Sequence, residues 1–150
     1  MKKLKISETI NSPKEKVWEN TFGENTYPEW TEVFAPGSHV KGSWEKGSRI
    51  KFLAPDNEGK MQGMLSEIVE NKPFEFLSIK HLGFIKDGAE DTESPEVKAW
   101  APSFENYTFT ETDGVTLLTV EMDTTDEYYD YFMETWPKAL QKIKHICEKS

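Results

Sequence analysis

Leu4, Ile6 and Ile10 alternate with Lys3, Lys5, Ser7 and Thr9. A period of two predicts a half-buried strand. Asn11-Ser12-Pro13-Lys14-Glu15 interrupts it, with Ser12 as N-cap, Pro13 at the first helical position and Glu15 closing a capping box. A short helix then carries Val17, Trp18 and Phe22 on one side and ends at Gly23. Pro28 opens a second short helix through Glu29, Trp30 and Val33, broken by Ala35-Pro36-Gly37-Ser38. From there to about Met122 the period is again two. Strands are predicted around Val40 to Trp44, from Arg49 to Leu53, from Lys60 to Val69, from Phe74 to Leu82, and across a hairpin of Phe104–Thr110 and Val115–Met122 turned by Asp113-Gly114. Short turns between successive strands imply an antiparallel meander.

Two stretches depart from this rhythm. Residues 85–102 hold Asp87, Glu90, Asp91, Glu93 and Glu96 together with Gly88 and Pro95. They read as an acidic insertion, either solvated or serving as a lid. The last stretch starts at Thr125 or Asp126. Tyr128, Phe132, Trp136, Ala139, Leu140, Ile143, Ile146 and Cys147 recur at steps of three and four. That spacing predicts an amphipathic helix of about six turns with Pro137 inside it. One long apolar helix facing one sheet requires the sheet to curl around it. A curled sheet cannot meet a straight helix along its whole length, so a hollow is expected between them. The expected walls are Trp30, Trp44, Phe52, Phe76, Tyr107, Phe109, Phe132 and Trp136.

The chain has 150 residues, a net charge of −9 and 13% aromatic residues, five of them Trp. The length suits one domain, here 1–150. The negative charge argues against nucleic acid as a partner. No run approaches the ~20 apolar residues of a membrane span, and the basic start at Lys2 and Lys3 is not followed by a leader-like apolar stretch. A single cysteine, Cys147, excludes an internal disulfide and points to a reducing, cytoplasmic setting.

Four segments carry a family resemblance. Ile10-Asn11-Ser12-Pro13-Lys14-Glu15-Lys16-Val17-Trp18 is similar to an "I-x-A-P-x-E-x-V-W" strand-to-helix step. Tyr27-Pro28-Glu29-Trp30 follows it. Gly42-Ser43-Trp44-Glu45-Lys46-Gly47-Ser48-Arg49-Ile50 is similar to a "G-s-W-x-x-G-s-x-I" hairpin. Trp136-Pro137-Lys138-Ala139-Leu140-Gln141-Lys142-Ile143-Lys144 is similar to a "G-W-P-x-x-L-x-x-L-K" helix, with Thr135 in place of the glycine. The chain thus resembles the START-like (SRPBCC) superfamily, in the branch named for the C-terminal domain of the activator of the heat-shock-protein-90 ATPase. The resemblance implies an α+β helix-grip fold. A curved antiparallel sheet of six to seven strands would surround the C-terminal helix, with two short helices between the first two strands. It also implies that a small hydrophobic or amphipathic molecule is bound inside. A chaperone-regulating interaction module is the alternative the branch name suggests.

Candidate chemistry is sparse. No glycine-rich phosphate loop or nucleophile elbow is present. His39, His81 and His145 lie on separate elements, so no metal or cofactor is expected. A His81–Asp87–Glu90 cation site is the one conceivable cluster. A cavity enzyme would draw on Glu67, Lys80, His81, Glu105, Tyr107 and Glu121, with Glu105 and His81 as the acid–base pair. Glu105 shares strand parity with Tyr107 and Phe109, so it faces inward if they do. Tyr129 and Tyr131 leave open a monomer or a weak homodimer.

Overall fold

The computed structural model describes residues 1–149; the last residue, Ser150, lies outside the described residues. The chain runs β1 (Lys2–Ile10), α1 (Lys14–Thr21), α2 (Tyr27–Thr31), β2 (His39–Gly42), β3 (Arg49–Pro55), β4 (Met61–Lys72), β5 (Phe76–Lys86), β6 (Ala89–Asp91), α3 (Pro95–Lys98), β7 (Ser103–Thr112), β8 (Val115–Thr124) and α4 (Asp126–Lys149). Seven strands form one sheet in the order β1-β8-β7-β5-β4-β3-β2, and short β6 pairs with β5 beside that path. Every pairing is antiparallel. This is the helix-grip arrangement, with α1 and α2 between β1 and β2.

Local chemistry explains most boundaries. Asp113 and Gly114 both have positive φ, 50° and 80°, as a tight hairpin turn between β7 and β8 requires. In the β3–β4 turn, Asp56 Oδ1 accepts from the backbone N–H of Glu58 (2.8 Å) and Lys60 (2.9 Å). At Gly23 a Cβ would come within 2.5 Å of the Glu19 carbonyl, so only glycine lets the chain turn out of α1 there.

Four expectations need correction. Ser12 does not cap α1. Its hydroxyl is buried without a partner, and the Pro13 carbonyl starts the helix by accepting from Lys16 and Val17. β2 stops at Gly42, so Trp44 lies beyond it in the connection to β3. The turn after β4 falls at Pro73-Phe74-Glu75, with Phe74 at φ 69°, so β5 begins at Phe76. Finally, residues 85–102 are not a bare loop. β5 extends through Ile85, β6 folds back on it, and Ser94 caps α3 by accepting from Val97 N–H. Val97 is wholly buried there, and Trp100 packs on Phe84 at 4.9 Å.

The core lies between the concave face of the sheet and the second half of α4. Ala139, Leu140, Ile143 and Cys147 of α4 are 0% exposed, against Leu4 and Ile10 of β1, Leu118 and Val120 of β8, and Val17 of α1. Each fully buried Leu or Ile contributes roughly 1.5–3 kcal/mol over leaving it in water. The first nine residues of α4, 126–134, include no buried residue. That half of the helix stands off the sheet.

Candidate functional site

The gap under the first half of α4 is a hollow of about 480 Å³. Its floor comes from the sheet: Phe52 of β3, Met64 of β4, His81 and Phe84 of β5, Glu105 and Tyr107 of β7, and Met122 of β8. Tyr27 and Trp30 of α2, with Phe34 just beyond, close one side, and Phe132 and Trp136 of α4 form the roof. Exposed Met1, Tyr128 and Tyr131 frame the opening. A second depression of about 400 Å³ shares Tyr27, Phe52, Met64 and Phe84 with it. The size falls within the range of small-molecule sites, and rings dominate the walls.

Of the eight residues expected on the walls, Trp30, Phe52, Tyr107, Phe132 and Trp136 line the hollow. The other three do not. Phe76 has the opposite strand parity from buried Leu77, so it points to the far face of the sheet. Phe109 packs on Trp18 (5.1 Å) and Phe22 (5.9 Å) under α1, at the closed end. Trp44 packs on Phe22 (4.8 Å) and Phe52 (5.6 Å). It therefore backs the wall without lining it. Tyr27, Phe34, Met64, Phe84, Trp100 and Met122 line the hollow without having been expected to. Phe84 could not have been found by alternation. The register between β4 and β5 shifts so that Leu65 pairs with Gly83 and Ser66 with His81, leaving Leu82 over. This bulge re-aims the following residues.

One polar chain crosses the apolar wall. Ser66 Oγ lies 2.7 Å from His81 Nδ1, and His81 Nε2 lies 3.1 Å from Glu105 Oε1. The Tyr107 hydroxyl donates to Glu105 Oε2. Register explains the assembly: Ser66 is opposite His81, His81 is opposite Ser103, and Glu105 is the diagonal neighbour two residues on. The Glu105 side chain is 17% exposed and that of His81 10%. Burial, and after it the negative Glu105, hold the phenols of Tyr107 and Tyr27 well above the ordinary tyrosine value. Both therefore stay neutral donors.

The remaining acid–base candidates lie elsewhere. Glu67, Lys80 and Glu121 do not line the hollow, and Glu121 is exposed. The His81–Asp87–Glu90 grouping does not form either. Asp87 occupies the β5–β6 turn at φ 49°, and Glu90 pairs with Lys51 at 3.1 Å. Nor is Ser66 placed as a nucleophile: it is 0% exposed, and the member of the chain that faces the hollow is the carboxylate.

Residues 11–148 match the family described as Activator of Hsp90 ATPase homolog 1-like protein. The chain belongs to this family. No functionally curated protein matches its sequence. Among solved structures, a protein of Mesorhizobium loti is similar with a TM-score of 0.74 at 17% identity, over 99% of this chain and 98% of that one. A Cytophaga hutchinsonii protein gives 0.73 at 17% identity, over 99% and 95%. The Aha1 dimer from Colwellia psychrerythraea gives 0.70 at 18% identity, over 99% and 97%. At these identities the likeness establishes the START-like fold. Among the described residues, no helix is long and apolar enough to cross a membrane.

Proposed function

We propose that this family member binds a small apolar or amphipathic molecule in the hollow beneath the first half of α4. One observation carries the reading: a space of about 480 Å³, lined largely by aromatic side chains, stays open where no residue of 126–134 is fully buried. Protein interiors otherwise pack to crystal-like density, and voids larger than a water are few. A cleft of this size left unfilled by side chains is the usual setting of a small-molecule site. Native mass spectrometry of the purified protein should show a retained small molecule. A matching apolar compound at ~100 times its dissociation constant should raise stability by ~2.7 kcal/mol. If a panel of apolar and amphipathic compounds leaves the melting temperature unmoved and no mass is retained, the reading fails.

The 3.1 Å contact between His81 and Glu105 favours a second reading, acid–base chemistry on a bound molecule. It requires turnover that Glu105→Gln abolishes while the melting temperature holds. The family description also supports a chaperone-regulating role, which a change in the partner's ATPase rate would reveal. The Colwellia relative is a dimer. Tyr128 and Tyr131, neighbours three residues apart on α4, are exposed rings that a second copy could cover, and sedimentation velocity distinguishes the two states.

A further inference from the structure

The chemistry inside the hollow narrows the kind of occupant it takes. The hydrogen bonds of the polar chain converge on one group. A carboxylate only accepts, so His81 Nε2–H and the Tyr107 hydroxyl both donate to Glu105. In the neutral imidazole, Nδ1 is then the acceptor for the Ser66 hydroxyl. In the imidazolium, Nδ1–H donates to Ser66 instead. Either way both ring nitrogens are spent within the protein, and His81 has no donor left for a ligand. A carboxylate has about four acceptor positions, of which this network fills two. The remaining two belong to a group that lines the hollow.

The charges around the space are lopsided. No Lys or Arg side chain lines it among the described residues, while Glu105 and Asp123 do. Asp123 is as little exposed as Glu105, 16% against 17%, but it is paired with Lys3 at 2.9 Å and accepts from Phe104 N–H, so Glu105 is the lining carboxylate without a Lys or Arg partner among the described residues. The cations beside the opening, Lys3 and the Met1 ammonium, are each set against a carboxylate, Asp123 at 2.9 Å and Asp126 at 4.0 Å. The indole N–H groups of Trp30 and Trp136 are also spent, on Thr21 O (2.9 Å) and Met122 Sδ (3.0 Å). The Trp100 N–H has no partner but is shielded from the open space. With a neutral His81, an anionic head would meet the Glu105 carboxylate and no lining cation among the described residues. An ammonium would meet the free lone pairs of Glu105 and the ring faces nearby, where cation–π attraction adds to the charge pair.

We propose that the hollow selects an apolar molecule bearing a protonated amine, its ammonium seated on Glu105 and its body among the rings of Tyr27, Phe52 and Trp136. This rests on the small-molecule reading above and specifies the ligand class. Three probes with one naphthyl body separate the two claims: naphthylethylamine, naphthaleneethanol and naphthaleneacetate, titrated by calorimetry at physiological ionic strength. The amine should bind about tenfold or more tighter than the carboxylate. In Glu105→Gln that preference should fall to about threefold or less, while the alcohol, whose hydroxyl can donate to a carboxylate or an amide oxygen alike, changes by less than about threefold. The alcohol thus also reports that the variant's hollow is intact. As a measurement independent of any variant, the Glu105 carboxyl-carbon resonance of the wild type should move farther on saturation with the amine than with the alcohol. Carboxylate binding as tight as the amine overturns the proposal. So does a preference that survives in Glu105→Gln, since it then reflects the net charge of −9 alone. Alcohol binding without amine preference sinks this proposal and leaves the small-molecule reading standing. Failure of all three probes to bind removes this proposal, and the compound panel with native mass spectrometry then decides the small-molecule reading.

Discussion

Glu105 shows how much a single position depends on its neighbours. Strand parity puts it on the same face as Tyr107 and Phe109, and that much follows from alternation. Its partners are Tyr107, two residues on in the same strand, and His81 of β5, 24 residues away, which in turn meets Ser66 of β4. A second residue-scale dependence is Gly63, opposite Leu53 in the β3–β4 ladder. A Cβ there would lie 1.7 Å from the Phe52 carbonyl oxygen, which belongs to rigid backbone. Gly63→Ala must therefore push β3 from β4 on the wall that carries Phe52 and Met64. We expect a loss of about 2 kcal/mol or more, the scale of strain imposed on a well-packed site. Chemical denaturation measures it. A loss below about 0.5 kcal/mol would mean that the ladder gives way easily.

At the scale of elements, α4 divides into two working halves. Residues from Thr135 onward bury Trp136, Ala139, Leu140, Ile143 and Cys147, while the half before it roofs the hollow. The helix continues through Pro137 despite the missing donor. Substitutions in the two halves should separate stability from binding. Leu140→Ala, at a wholly buried position, should cost about 2–5 kcal/mol. Phe132→Ala, at a half-buried roof position, should cost less than half of that and weaken binding of any apolar occupant. Paired melting and titration experiments check this, and equal stability losses at both positions would contradict the division. The strap of β6 and α3 is a second element whose role differs from its composition. Its carboxylates face solvent, yet Val97 and Trp100 pin it against β5. The apolar anchors are two residues among many charged ones, too few to create a periodic signal.

For the whole molecule, three acids that the fold shields, Cys147 and Tyr107 fully and Tyr27 in part, link it to alkaline pH. Burial pushes the Cys147 thiol from 9.0 up to about 11, and Tyr27 and Tyr107 are raised from 10.0 for the same leading reason. Between pH 9 and 11 the unfolded chain releases a thiol proton that the native state keeps. Folding stability must then fall as pH rises. The thiol's contribution is complete below pH 9 and is lost progressively as pH rises through about 11, and the two phenols extend the loss upward. Melting temperatures recorded from pH 8 to 11 should decline most steeply above pH 9. In the same window Cys147 should resist alkylation until the chain unfolds, since it is 0% exposed. Rapid labelling of the native protein at pH 8 would show that the second half of α4 opens locally.

The strand-and-helix order, the Asp113-Gly114 hairpin, the apolar stripe of α4 and the family resemblance are all legible in the chain, because each depends on residues a few positions apart. Which rings line the hollow is a different kind of fact. Trp44, Phe76 and Phe109 satisfy the same local patterns as Phe52 and Tyr107. A strand end, the parity of β5 and the position of α1 send those three elsewhere. The bulge at Leu82 that turns Phe84 inward, and the meeting of Ser66, His81 and Glu105, arise from register between strands. Register is a long-range property: it depends on how whole strands slide to bury their faces together. Local periodicity therefore settled the elements, and only the packed sheet decided which side chains share the site.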